Sequence, residues 1–304
     1  MTPLLLVCRD PLCSRRTDPH FAAEARAAGE RGLRVARIDH DALLAGDAAG
    51  AVADVPHEPG PAWYRGWMIP AARYAELAEA LAGRGVTPLT PPADYRRAHE
   101  LPGWYRTFAP VTPRTVWFPT EPGRAPDRER LAAGAALLGG GGGPVVVKDY
   151  VKSRKHEWDE ACYVPDRADT DRLAAVVGRF VELQGEFLAG GVVLRSFERF
   201  TAAGEARVWW VDGRPALVTA HPDTPERLPA PALDAVAPCV AALDCRFVTT
   251  DLALREDGVW RVVEVGDGQV SDLPQDADPG PLLTALAGGR GRSVPVAAGQ
   301  EDVR

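Results

Sequence analysis

Lysine is almost missing from this chain. Of its 35 basic side chains only three are lysine, and all three, Lys148, Lys152 and Lys155, fall within one eight-residue window. An ammonium is a compact point charge on a flexible stem, where a guanidinium is a planar fork. Lysines held together in an otherwise arginine-using chain suit a ligand phosphate, with drift in an arginine-biased composition as the alternative. An excess of positive charge is also lacking. The formal net charge is −7 over 304 residues, which argues against a nucleic acid or an anionic membrane as partner, since both call for a basic face. No stretch approaches the roughly 20 apolar residues of a membrane span. The opening MTPLLLVC has no basic leader and is interrupted by Arg9 and Asp10, so it reads as a buried strand and not as a signal peptide. The five cysteines, at 8, 13, 162, 239 and 245, are odd in number and form no CxxC pair. That pattern argues against a structural zinc site and fits reduced thiols in a cytoplasmic protein. No GxxxxGK[ST] occurs, so a nucleotide site here requires a different architecture.

What is present is 46% apolar residues, enough for sizeable cores. Strand-like LLLVC (4–8), a helical run from Phe21 to Gly32, RVARID (34–39), AWYRGW (62–67), a helix over 70–83 and a short strand from Gly85 alternate with short loops. That alternation predicts a parallel α/β sheet in residues 1–93. Residues 94–120 are rich in aromatics and proline and read as a crossover into a second domain, 94–290, of α+β character. There the pattern predicts a helix at 126–138, a glycine run (139–143), a strand PVVVKDYV and a helix at 169–183 capped near Asp169 or Thr170. Three strands GGVVLRSF, EARVWWV and RPALVTAH follow, then a helix near 230–242 and two last strands, RFVTTDLAL and VWRVVEV. Asp-Gly pairs at 212–213 and 257–258 mark hairpin turns. Residues 291–304 read as a flexible tail.

The last hairpin carries the sharpest chemical signal. Asp251 and Glu264 sit in apolar strands on either side of its turn, 13 residues apart, and antiparallel pairing brings them to one end of it. Two such carboxylates repel unless a cation or proton intervenes, and one or two carboxylates completed by phosphate oxygens are the usual way to hold Mg²⁺. Solvent-facing acids on an edge hairpin are the alternative. In the segment that follows, Asp267 offers a further oxygen, and Gln269 and Ser271 offer uncharged hydrogen-bonding groups. Arg65, at a strand end in the first domain, suits a substrate carboxylate, with a surface salt bridge as the alternative. His99, His156 and His221 titrate near neutrality but read as solvated or packed, and the tryptophans read as core.

Taken in order, the PVVVK strand, the VVLRSF strand, the Gly-Glu-x-Arg-Val strand and the D-x12-E hairpin resemble the ATP-grasp superfamily over residues 95–275. KDYVKSRKHEWDEA and VVEVGDGQVSDLP are similar to a divergent, mostly uncharacterised clade of it. The resemblance implies ATP and Mg²⁺. It places Lys148 on the phosphates, Arg195, Ser196 and Phe197 at the adenine hinge, Glu205 near the ribose, and Asp251 and Glu264 on the metal. Arg207 then lies near phosphate or substrate. Where the family usually has a metal-binding Asn this chain has Gly266, so Asp267 stands in. The glycine-rich flap is replaced by KSRKH, which makes Lys152, Arg154 and Lys155 a candidate clamp, with Arg154, Arg65 and Gln269 toward substrate. The activity implied is an ADP-forming ligase that joins a small-molecule or peptide carboxylate to an amine through an acyl phosphate. A small-molecule kinase on the same fold and a nucleotide-binding module without turnover are the alternatives, and a homodimer is left open.

Overall fold

The computed structural model describes residues 2–288. The expected tail at 291–304 lies outside the described residues. The first sheet is built from β1 (Leu4–Asp10), β2 (Cys13–Thr17), β3 (Arg34–Ile38), β4 (Gly60–Arg65) and β5 (Val86–Pro88). β3, β1, β4 and β5 pair in parallel. Leu4 to Cys8 are all buried, the continuous apolar run a central parallel strand needs because helices cover both its faces. The polar strand β2 doubles back antiparallel on the end of β1, with Arg9 opposite Thr17. Its sequence, CSRRT, has no apolar alternation to announce it.

Two antiparallel four-stranded sheets follow. One has the order β6 (Thr115–Pro119), β9 (Gly191–Ser196), β7 (Val145–Lys148), β8 (Tyr163–Val164). The other has the order β11 (Arg214–Ala220), β10 (Phe200–Val211), β12 (Phe247–Arg255), β13 (Trp260–Asp267). The β10–β11 turn places Asp212 at φ 49° and Gly213 at φ 75°, the two positive φ values that a two-residue hairpin of matching twist requires. The helix at Thr170–Gln184 is capped by Asp169, whose side chain accepts from the Arg172 N–H at 2.9 Å.

The 94–120 stretch is more ordered than its composition suggests. It forms helices Pro92–His99 and Leu101–Phe108 and then β6. Both helices carry proline in the first turn, where a missing N–H costs nothing, and the second buries Trp104 and Phe108 one turn apart. The first of them straddles the expected boundary at 93. The chain's far end also returns to its beginning: Leu282, Leu283 and Leu286 of helix Gly280–Gly288 share one buried cluster with β1, β4, Trp209 and Phe247. Among the described residues no helix is long and apolar enough to cross a membrane.

Candidate functional site

Three adjacent strands put Arg207, Asp251 and Glu264 in one row. Arg207 on β10 is the register partner of Asp251 on β12, and Asp251 is the partner of Glu264 on β13. Directly opposed residues share a face of an antiparallel sheet, so all three project the same way. Arg207 grips Asp251 with both prongs, Nε–Oδ1 at 2.8 Å and Nη2–Oδ2 at 2.9 Å. His221, just past β11, sets Nε2 3.4 Å from Asp251 Oδ2. Burial alone would raise the Asp251 pKa, but the Arg207 and His221 charges and hydrogen bonds hold it well below the usual carboxylate range. Burial alone would lower the His221 pKa, and Asp251 raises it instead.

Lys148 ends β7, on the other antiparallel sheet, and reaches across to Glu264 with Nζ 3.5 Å from Oε2. It is buried, whereas the Glu264 side chain is 40% exposed. Lys155 pairs with Asp223 at 2.8 Å. Burial would lower the Lys155 pKa, but the Asp223 bond and the charges of Glu205 and Glu264 raise it. Glu205, two residues before Arg207 and so on the same face, has its pKa raised by burial, opposed by Lys155 and His221. Lys152 is exposed beside His99: burial, then the charges of Lys152 and Lys148, push the His99 ring down to about 4. A cavity of about 240 Å³ is lined by Arg207, Asp251, Glu264, His221 and His99. Of the groups singled out in the sequence, Arg207 and the two carboxylates border it directly, and Lys148 touches Glu264.

Four other candidates are turned to other partners. Arg65 is fully buried and bonded to both Glu24 oxygens at 2.7 Å, with Nη1 spent on the carbonyls of Gly268, Gln269 and Ser271. It is a structural tie and has no donor facing a substrate. Gln269 is fully buried between the Tyr64 N–H, the Tyr74 hydroxyl and Asp267. Asp267 is three residues beyond Glu264 and faces the opposite side of the sheet, because side chains alternate along a strand. Its Oδ1 accepts from the Gln269 backbone and side chain, its Oδ2 has no partner among the described residues, and burial pushes its pKa up to about 7. Arg154 is held by Glu157 and by the end of helix Thr170–Gln184. The hinge residues Arg195, Ser196 and Phe197 close β9. Arg195 points inward to Thr112 and the Val263 carbonyl, its pKa lowered to about 10 by burial. The N–H groups of Ser196 and Phe197 donate to Arg114 and Pro144 at 2.8 and 3.0 Å.

A family model described as an ATP-grasp domain, the third family of its clade, matches residues 137–286. Residues 137–286 belong to the ATP-grasp superfamily. The ATP-grasp fold extends over nearly the whole chain in solved structures. D-cycloserine synthetase DcsG is 18% identical with a TM-score of 0.60, covering 93% of this chain and 98% of its own. A RimK domain ATP-grasp protein from Sphaerobacter thermophilus, also 18% identical, gives 0.58 over 94% and 98%. The ATP-grasp ligase PsnB, complexed with minimal precursor, Mg and ADP, gives 0.55 at 14% identity over 93% and 96%. No curated protein matches the chain.

Within the ATP-grasp domain two groups escaped the sequence reading. His221, which reads from the sequence as packed or solvated, touches Asp251; only the β10–β11 pairing, which sets its N–H 2.9 Å from the Glu205 carbonyl, brings it there. Asp149 was absorbed into the strand PVVVKDYV. The strand instead stops at Lys148, and the buried Asp149 carboxylate accepts from the Val151 and Lys152 N–H groups at 2.7 and 2.5 Å and from the Gln184 amide at 2.7 Å. A short acid that bonds the backbone two residues on makes a turn. An Asp one residue past the run Val145–Val147 was the available signal. Among the described residues no three His, Cys, Asp or Glu side chains are grouped to hold a metal, and Asp267 is bonded to Gln269 and not set beside Asp251 and Glu264. Two opposed carboxylates remain, and hard carboxylate oxygens fit Mg²⁺, which takes phosphate oxygens and water for the rest of its shell.

Proposed function

We propose that the protein is an ADP-forming ligase that activates a carboxylate with ATP and joins it to an amine. The observation that carries this reading is the row Arg207–Asp251–Glu264 with Lys148 facing it 3.5 Å from Glu264. The row combines two oxygen donors for a cation with a guanidinium, all three lining one cavity, and the Lys148 ammonium lies beside them against Glu264. Asp251 and Glu264 would hold Mg²⁺, which when bound neutralises phosphate charge. Asp251 is paired with Arg207 and His221, and Glu264 with Lys148. A cation held by the two carboxylates would replace part of this pairing, and Lys148 and Arg207 would then be placed to meet phosphate and substrate oxygens.

Lys148 sits on a strand pinned by the Asp149 turn and would meet the nucleotide phosphates. Lys152 and Lys155 lie in the segment beyond and would close over the transferred group, Lys155 leaving Asp223 to do so. Such positioned charges act most where negative charge develops in the transition state. Glu205 would face the ribose. The hinge at Arg195–Phe197 would meet adenine through groups other than its two engaged N–H donors. PsnB is a ligase and DcsG a synthetase by name, which favours ligation over simple phosphorylation. The test is ADP release with candidate carboxylates and amines. A ligase needs both for sustained turnover, a kinase accumulates a phosphorylated product without the amine, and a binding module releases no ADP. Turnover that is unaffected by Mg²⁺ removal would refute the metal assignment.

A further inference from the structure

The turn that follows β11 is fastened to β10 beside the row of charged groups. His221 opens it, buried, with its backbone N–H on the Glu205 carbonyl at 2.9 Å. Its own carbonyl accepts from the Thr224 N–H at 2.9 Å, and the Thr224 hydroxyl accepts from the Glu205 N–H at 3.2 Å. These bonds close residues 221–224 on themselves and on β10, two residues from Arg207. His221 and Pro222 line the cavity. Inside the turn the Asp223 N–H donates to His221 Nδ1 at 3.1 Å. A backbone N–H can only donate, so Nδ1 presents a lone pair and the ring proton sits on Nε2. Nε2 is the nitrogen that faces Asp251 Oδ2, at 3.4 Å.

The two oxygens of Asp251 are therefore occupied unequally. Oδ2 meets Arg207 Nη2 and the His221 ring, whereas Oδ1 meets Arg207 Nε. A carboxylate oxygen accepts along two lone pairs, so Oδ1 keeps one for a cation. The His221 ring is also tied at its other nitrogen. The Asp223 carboxylate holds Lys155 at 2.8 Å, but the bond to Nδ1 comes from the main chain and does not depend on where Lys155 goes. Resting on the metal and nucleotide reading above, we infer that His221 is a positioning residue: its Nε2–H holds Asp251 Oδ2, so that Asp251 stays oriented for the metal when Arg207 turns to an anion. The 3.4 Å contact is long, as hydrogen bonds in unloaded sites often are, and tightens in the loaded state. The rival role is direct, the same N–H on the cavity wall donating to a phosphate oxygen.

Glutamine and methionine side chains are close in length, and only glutamine carries an N–H donor, so His221→Gln and His221→Met isolate the hydrogen bond. Calorimetry of a non-hydrolysable ATP analogue with and without Mg²⁺ is the readout, and it needs no turnover. His221→Met should weaken the Mg²⁺-dependent binding about tenfold, the lower range for partners of metal-ligating groups, while affinity without Mg²⁺ stays at the parent value. His221→Gln should keep most of the Mg²⁺ effect. His221→Met equal to the parent, or both variants weakened alike, would overturn the inference and leave His221 a packing group. Affinity lost by His221→Met without Mg²⁺ would assign the ring to phosphate and overturn it as well. These outcomes leave the metal reading standing, whereas a parent whose nucleotide binding Mg²⁺ does not tighten would overturn both. Heteronuclear NMR of the histidine ring nitrogens in the ligand-free parent, in mildly alkaline buffer, checks the tautomer independently. A proton on Nε2 and none on Nδ1 is expected for His221; a proton on Nδ1 would overturn the inference.

Discussion

The strand pair β12–β13 has two buried polar networks on its opposite sides, and they use the same chemistry to different ends. On the cleft side, Arg207 forks onto Asp251, with His221 and the Lys148–Glu264 contact alongside. On the core side, Arg65 forks onto Glu24 and three carbonyls of the 268–271 loop, with Gln269, Asp267 and Tyr74 beside it. Both are arginine–carboxylate pairs with little exposure. The core network joins the parallel sheet to the end of the hairpin, and every donor of Arg65 points into protein. The cleft network borders a cavity, and its partners can be exchanged for a ligand's charges. The same side-chain pairing therefore fastens the parallel sheet to the hairpin in one place and, on the proposed reading, is open to a ligand in the other, and the surroundings alone decide which.

The largest separation of the two networks should come from Arg65→Ala. Removing one partner of a buried pair leaves Glu24 charged and uncompensated, with an expected loss of about 3–5 kcal/mol. Chemical denaturation would measure it, and a loss under about 1 kcal/mol, the range of an exposed pair, would make Arg65 a bystander. Lys148→Ala should act on binding instead. It removes a charge-assisted phosphate contact worth roughly 1.5–3 kcal/mol, so calorimetry should show ATP affinity reduced about tenfold or more. Lys148→Arg should rescue poorly, because the planar fork does not replace a compact ammonium. Asp149→Ala deprives two backbone donors of the 151–152 turn and the Gln184 amide of their acceptor. Its expected cost is about 1–3 kcal/mol, with nucleotide affinity weakened in parallel because the lysine-bearing turn loosens.

The effect at Asp267 is read through pH. Burial raises its folded-state pKa to about 7, against an ordinary 3.8. Between those values the folded protein binds more protons at this site than the unfolded chain, so its contribution to stability falls as pH rises through that window. Asp267→Asn removes the titration. The variant should show a flatter melting temperature across that window and should be more stable than the parent above it. A parent and variant with parallel profiles would show that Asp267 ionises freely.

Much of this architecture was legible in the chain. The Asp-Gly pairs, the β-branched runs and the D-x12-E spacing determine local geometry through backbone preference and strand period, and the structure seats Asp251 opposite Glu264 as that spacing requires. The lysine window was legible because a composition that avoids lysine makes three retained ones conspicuous. The facing of the polar side chains beyond Glu264 was harder to read. Gln269 and Asp267 follow a metal-type carboxylate in sequence, but β13 turns Asp267 away and the loop carries Gln269 beneath the parallel sheet. Arg65 ends its strand as a substrate arginine would, and only Glu24, 41 residues earlier, and the carbonyls of the 268–271 loop, some 200 residues later, give it other partners. Tertiary pairing of this kind leaves no trace in local pattern. His221 and Asp149 were missed for the same reason, since each acts through a partner that the fold supplies.

The central claim is that the cleft face of β12–β13 is a Mg²⁺-dependent nucleotide site. Glu264 is its cleanest probe, because its side chain is 40% exposed and its neutralisation leaves the Arg207–Asp251 pair in place, whereas Asp251→Asn would strand a buried guanidinium. Calorimetric titration of a non-hydrolysable ATP analogue, with and without Mg²⁺, into the parent and Glu264→Gln tests it directly. The account predicts that Mg²⁺ tightens nucleotide binding to the parent by at least about tenfold and that Glu264→Gln loses most of that gain, while its ligand-free melting temperature stays close to the parent's. Equal Mg²⁺-dependent tightening in both proteins would contradict it.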